Sequence, residues 1–352
     1  MTFAEEVKAR IDDLAKPPGS LGLLEKQLRQ VLLAWGQFEP ELQPLHIVFA
    51  ADNGIVRSGV VQQLAEITYM QARNMVRGTA AISSFCQCNH IPYKVVDVGI
   101  DSADAVGIDY KAARGSRDFL VEPAMTENEF DRASQAGRDM VRQARQEGYN
   151  LVSFGEMGIG NTTTSAAVLT AIAPKASTFL VGYGSAKGNV RLWQHKEAVI
   201  RQALRQHGPA IQTAADAIRY VGGFDLAALC AAMQECARLR LPFYIDGFIT
   251  AVALACAVQL YAPTTAFALP SHLSREPGMS VALRLAGIDE YDVPIHARLA
   301  LGEGTGAVLG VVLLRSMFYA FQHMATLTDI NADAVLRHES DKGGTTNGNQ
   351  NR

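Results

Sequence analysis

The sequence predicts an α/β protein of three layers, α/β/α, around a parallel, Rossmann-like sheet, with a small helical domain built from both termini. Three observations point there. From about residue 45 short, continuously apolar runs rich in β-branched residues recur, each run ends on a polar or glycine-containing turn, and a helical stretch follows. Strands covered on both faces read as unbroken apolar runs, and their alternation with helices implies parallel pairing.

The elements follow in order. Phe3, Val7, Ile11 and Leu14 repeat at helical spacing, and Lys16-Pro17-Pro18-Gly19 stops that helix by removing donors and fixing φ. Leu24, Leu28, Val31, Leu32 and Trp35 form the apolar stripe of a second helix, which the segment from Pro40 to Pro44 separates from the sheet. The expected strands are LHIVFAA (45–51), YKVVDVGI (93–100), LVSFG (151–155), TFLVGYG (178–184), LPFYIDG (241–247) and AFALP (266–270). A long helix over 305–325 carries Val308, Val311, Val312, Leu314, Phe318 and Phe321, spaced to pack on the two opening helices. The expected division is therefore a helical domain of residues 1–40 plus 308–335, a large α/β domain of residues 41–307, and a disordered tail over 338–352, whose polar residues could not offset their ordering entropy.

Composition narrows the function classes. Among 352 residues, 48 % are apolar and 19 % charged, which allows a large core; Lys and Arg number 32 against 35 Asp and Glu, so nothing favours nucleic acid or an anionic membrane as partner. The five cysteines have no zinc-knuckle spacing and read as reduced thiols. The opening MTFAEEVKARIDDL lacks the basic and apolar regions of a secretory signal, and no long uninterrupted apolar run appears, so the expected location is cytoplasmic.

Ligands of open parallel sheets bind beyond the carboxyl ends of the strands. The polar turns there are Asp52-Asn53-Gly54, Gly99-Ile100-Asp101, Gly155-Glu156, Gly184-Ser185, Asp246-Gly247 and Ser271-His272. In GEMGIGNTTTSAA (155–167), Gly158 and Gly160 precede Asn161 and Thr162 where a helix should start, offering backbone N–H groups and hydroxyls to an anion such as phosphate. The lysine of a Walker A loop is missing. In VGYGSAKGNV (181–190) the glycines Gly182, Gly184 and Gly188 depart from the dinucleotide spacing. Lys196, or Arg191, could add charge for a phosphate, and a solvated helix lysine is an equal reading of Lys196. Asp246 and Asp225 could each cap a helix or serve a site, and capping is favoured for Asp225. Of the eight histidines only His272 stands beside other site candidates, and for each of the rest a structural histidine is the better reading. Carboxylates are not clustered at ligand spacing, so no metal is expected. In LGEGTGAVLG (301–310), Glu303 lies among Gly302, Gly304 and Gly306 at the mouth of an apolar helix, a pattern that packing alone explains poorly.

Taken together, KPPGSLG (16–22), ADNG (51–54), NMVRGTAA (74–81), VVDVGID (95–101), GEMGIGNTT (155–163), VGGFDL (221–226), LPFYIDGF (241–248), LPSHLS (269–274) and LGEGTGA (301–307) resemble, in order, the nicotinate mononucleotide:5,6-dimethylbenzimidazole phosphoribosyltransferase family. The resemblance implies transfer of the 5-phosphoribosyl group from nicotinate mononucleotide to an aromatic base in assembling the lower nucleotide of cobalamin. It implies a catalytic base at Glu303 and an assisting carboxylate near the ribose at Glu156. Phosphate binding falls around Gly158, Gly160, Asn161, Thr162, Gly182 and Gly184 with Lys196, and Ser271, Leu301 and Gly302 fall in the nicotinate and ribose region. Gln63 and Gln71 fall in the base pocket.

Departures from the family pattern are Asn53 for a histidine, Met157 for a leucine and Gln63 for a serine. Similar proteins accept purines or phenols, so the acceptor identity depends on that altered pocket. The implied partners are small molecules and a second copy of the chain, with no cofactor. The alternative is a partner-dependent paralogue acting in a heterodimer on a phenolic or purine base.

Overall fold

The computed structural model describes residues 1–39, 41–174, 180–182 and 188–330. Two helices open the chain, α1 (Phe3–Asp12) and α2 (Leu23–Trp35), and strand β1 (Pro44–Ala51) follows. Next come α3 (Ile67–Val76), α4 (Ala81–Cys88), β2 (Tyr93–Gly99) and the two-residue β3 (Ile108–Asp109). The middle holds α5 (Glu127–Gln146), β4 (Leu151–Met157), α6 (Asn161–Ile172), α7 (Val190–His207) and α8 (Ala214–Val221). The remainder is α9 (Phe224–Arg238), β5 (Phe243–Ile245), α10 (Phe248–Leu260), β6 (Ala268–Pro270), α11 (Met279–Leu285) and α12 (Thr305–His323).

The strands form one sheet in the order β3-β2-β1-β4-β5-β6, and all pairings are parallel. Strand order reverses between β1 and β4, so the loops beyond these two strands diverge and leave a crevice. Five of the expected strands are present. Of the sixth, 178–184, only Leu180, Val181 and Gly182 are among the described residues, and these three are not in a strand. Among the described residues the sixth strand is the unexpected β3, too short to leave a periodic signal. Gly184 and the tail over 338–352 also lie outside the described residues.

Strand periodicity assigns the two covers. Leu45, Ile47, Phe49 and Ala51 join one apolar cluster with α5 to α11, whereas Val48 and Ala50 join a second with α1 to α4 and α12. The helices from both chain ends thus share a continuous core with the sheet's second face. Aromatic contacts fasten them: Trp35 meets Phe318 edge-on at 5.8 Å, and Phe38 stacks on Phe321 at 6.0 Å. By length and apolar composition α12 could cross a bilayer. Here Val308, Val311, Leu314, Phe318 and Phe321 are buried in that second core.

Candidate active site

A cavity of about 370 Å³ opens at the carboxyl edge of the sheet, beside the point where strand order reverses. The end of β4 supplies Glu156 and Met157, the turn after β5 supplies Asp246, and the turn after β6 supplies His272. Gly158, Gly160, Asn161 and Thr162, at the start of α6, form another wall, and Leu301, Gly302 and Glu303 close the space from the approach to α12. Sequence-distant segments therefore meet at one edge, as polar turns beyond parallel strands can do.

Glu303 is 5 % exposed and has φ of +63° between Gly302 at +87° and Gly304 at +91°. Three successive left-handed residues swing the chain sharply into α12. The flanking glycines tolerate this, but a glutamate does not adopt it readily. Gly302 is further required by its neighbour, since a Cβ there would lie 2.8 Å from Glu156 Oε1. Both carboxylate oxygens of Glu303 are held. Gln71 on α3 donates through Nε2 to Oε1 at 2.7 Å, and the Ile82 backbone N–H in the first turn of α4 donates to Oε2 at 3.0 Å. The positive end of the α4 dipole is thereby aimed at the carboxylate.

Across Gly302 lies a set of buried acids. Burial, reinforced by Asp225 and Asp246, raises the Glu156 carboxyl to about 8. Burial likewise lifts Asp246 to about 7 and Asp225 to about 6. The Asn161 side-chain amide donates to Glu156 and, at 3.2 Å, to Asp225. Asp246 accepts the Ala307 N–H at 3.1 Å, and its Oδ1 lies 3.5 Å from His272 Nδ1. Burial holds His272 down at about 4, so this contact joins the acid to a neutral imidazole.

The remaining candidates are placed unevenly. Ser271 is buried behind the wall, donating to the Asp246 carbonyl at 3.1 Å, and does not line the cavity. Gln63 is half-buried and also outside the lining. Lys196 is 1 % exposed, which rules out the solvated alternative; burial lowers its ammonium while the Glu276 carboxylate opposes that shift. Glu276 lines the cavity and also packs on Gly182, so Lys196 approaches the site through this carboxylate, whereas Arg191 is exposed. The capping reading favoured for Asp225 does not hold: Gly223 is the N-cap of α9, no side chain caps it, and Asp225, in the first turn, accepts the adjacent Leu226 N–H at 2.9 Å and shares Asn161 with Glu156. His272, the one histidine placed beside site candidates in the sequence, lines the cavity. The Ile82 N–H had no signal a side-chain pattern could reveal.

Comparison with known proteins gives concordant matches. A family model described as Phosphoribosyltransferase matches residues 1–331. A nicotinate-nucleotide–dimethylbenzimidazole phosphoribosyltransferase of Bacteroides fragilis is 36 % identical over 319 residues, 90 % of this chain and 91 % of that protein. Its namesake from Pseudomonas putida is 37 % identical over 329 residues, 92 % of this chain and 93 % of that one. The crystal structure of CobT from Thermus thermophilus superposes with a TM-score of 0.86 at 33 % identity, covering 94 % of this chain and 98 % of that chain.

Proposed function

We propose the following reaction on one ground: this chain belongs to the nicotinate-nucleotide–dimethylbenzimidazole phosphoribosyltransferase family and is a phosphoribosyltransferase. It moves the 5-phosphoribosyl group of nicotinate mononucleotide to 5,6-dimethylbenzimidazole or an analogue, giving α-ribazole 5′-phosphate and nicotinate for the nucleotide loop of cobalamin. The observation that carries the residue assignment is the Glu303 carboxylate, buried at the cavity wall with both oxygens held by donors on separate helices. At about 370 Å³ the cavity is within the roughly 300–1,000 Å³ of small-molecule sites.

The donor's nitrogen is a pyridinium. When the C1′–N bond breaks, its electron pair returns to the ring and neutralises it, so the leaving group needs no proton. The acceptor nitrogen's lone pair forms the new bond to C1′, and its ring must then lose the N–H proton, which Glu303 accepts. General-base assistance of this kind contributes about 10²–10⁴-fold in rate. Holding the acceptor and C1′ in line lowers the barrier further and inverts the anomeric carbon, giving the α linkage. Glu156 faces the positive charge that develops on the ribose. A cationic donor in the cavity favours loss of the proton that burial and the neighbouring aspartates hold on it. Gly158, Gly160 and the first turn of α6 receive the phosphate with their backbone N–H groups.

Incubating the chain with nicotinate mononucleotide and a mixed panel of benzimidazoles, purines and phenols, then identifying ribotides by mass, tests the reaction and reports the acceptor together. Glu303→Gln should keep mononucleotide binding and lose about 10²-fold or more of turnover. Turnover near wild type in the purified variant would reject the assignment. We further place the chain as a homodimer in the cytoplasm. Five unpaired cysteines suit a reducing compartment, and the exposed Ile67 and Met70 on α3, with Leu301 at the cavity rim, offer apolar surface to a second copy.

A further inference from the structure

We propose that His46 is a positioning residue for Glu303, a proposal that rests on the base role assigned to Glu303 above. The left-handed turn carrying Glu303 is disfavoured for a residue with a side chain and needs something to hold it. Strand β1 supplies it. His46 is fully buried, the polar member of the otherwise apolar run LHIVFAA, and its Nε2 lies 3.0 Å from the Glu303 carbonyl oxygen. On its other side, Nδ1 lies 2.8 Å from Ser153 Oγ, on the residue that pairs with His46 in the β1–β4 register.

The chemistry of the partners fixes the tautomer. A carbonyl only accepts, so the proton belongs on Nε2, and Nδ1 accepts the Ser153 hydroxyl. Burial holds the ring down at about 4, which keeps it neutral and able to play both parts. The imidazole also fills the space over Gly304, where any Cβ would run into it. A leucine would fill similar space without a donor. What the imidazole adds is one hydrogen bond to the single carbonyl that leads into the base's own side chain. Gln71 and Ile82 hold the carboxylate end of Glu303 while His46 holds its main-chain end, and the three together set how far the carboxylate reaches toward an acceptor.

A small displacement of a base costs rate without costing substrate affinity. His46→Leu should therefore lower kcat about ten-fold or more while KM for nicotinate mononucleotide stays within about two-fold. Its rates across benzimidazoles of graded N–H acidity should depend more steeply on that acidity, because a poorly placed base helps the less acidic rings least. His46→Gln, whose amide can donate from near the same point, should recover most of the loss. Wild-type kcat in His46→Leu would overturn the proposal. So would an equal loss for every acceptor with His46→Gln no better, which is the signature of a merely structural role. Should His46→Leu not fold, Ser153→Ala decides, since it frees the ring without opening the core. A lower kcat at unchanged KM with a steeper acidity dependence supports the proposal, and unchanged kinetics reject it. A wild-type chain that makes no ribotide would instead defeat the assigned reaction, so the two failures are distinguishable.

Discussion

Glu156 shows what the site demands of single side chains. Its carboxyl is raised to about 8 by burial first and by Asp225 and Asp246 second, so the empty protein binds a proton there that the unfolded chain gives up near pH 4.5. The sign of the linkage follows: stability from this group is fully present below the unfolded value and is lost as pH rises through the folded one. The melting temperature of the unliganded protein should fall between pH 5 and about pH 8, and Glu156→Gln, which titrates nowhere in that range, should flatten the fall. Parallel melts of the two proteins across pH check this, and an equally steep fall in the variant would refute it. Saturating nicotinate mononucleotide should shrink the wild-type fall, since its cation favours the carboxylate form. Glu303 stood out in the sequence because the glycines around it have few structural explanations, whereas Glu156 was marked only by its place in a strand-end turn and by the family resemblance. His46 was less legible: a polar residue inside an apolar run is visible, but its partner is the backbone of a residue 257 positions away.

At the scale of elements, the end of β4 and the start of α12 are packed as one unit. A Cβ on Gly155 would strike the Glu303 main chain, so the strand can pass beneath the turn only without a side chain there. Gly155→Ala must therefore push the turn outward, with an overpacking cost of about 1–3 kcal/mol. We expect a lower melting temperature together with a loss of turnover larger than the loss of mononucleotide affinity, measured by melts, kinetics and titration of one preparation. Unchanged turnover would mean that the turn is not seated by β4. Long elements were readable from pattern, since α2 and α12 carry apolar stripes and β1, β2 and β4 are largely apolar runs. The two-residue β3 was not, because a pair of residues has no period, and Leu180, Val181 and Gly182 are not in a strand although an apolar run led to that expectation, since composition alone does not distinguish a strand from other buried backbone.

Across the whole molecule, the amino-terminal helices are tied to the strand ends that carry the site. Tyr244 on β5 donates its hydroxyl to Gln27 Oε1 at 2.7 Å, and Gln27 Nε2 donates to the Pro270 carbonyl at the end of β6 at 2.8 Å. All three groups are buried, so Gln27→Leu strands a hydroxyl and a carbonyl at about 1–3 kcal/mol each. Denaturant titration should show that loss, and Gln27→Leu combined with Tyr244→Phe should recover part of it. Additive losses would mean that the groups do not act as a pair. The layered arrangement itself was legible, since alternating strands and helices prescribe it. The packing of α12 on the opening helices was legible as well, from its apolar spacing, but that this bundle lies over the sheet's second face was not, because helix spacing carries no information about which face of a sheet it will meet. The ribosome makes α2 long before α12. Until α12 emerges, the apolar residues of the second core that it buries stay exposed beside α1 to α4, a liability for aggregation and an occasion for chaperones. The helix that finally covers them arrives directly behind Glu303, so an unfinished chain has neither shelter nor base.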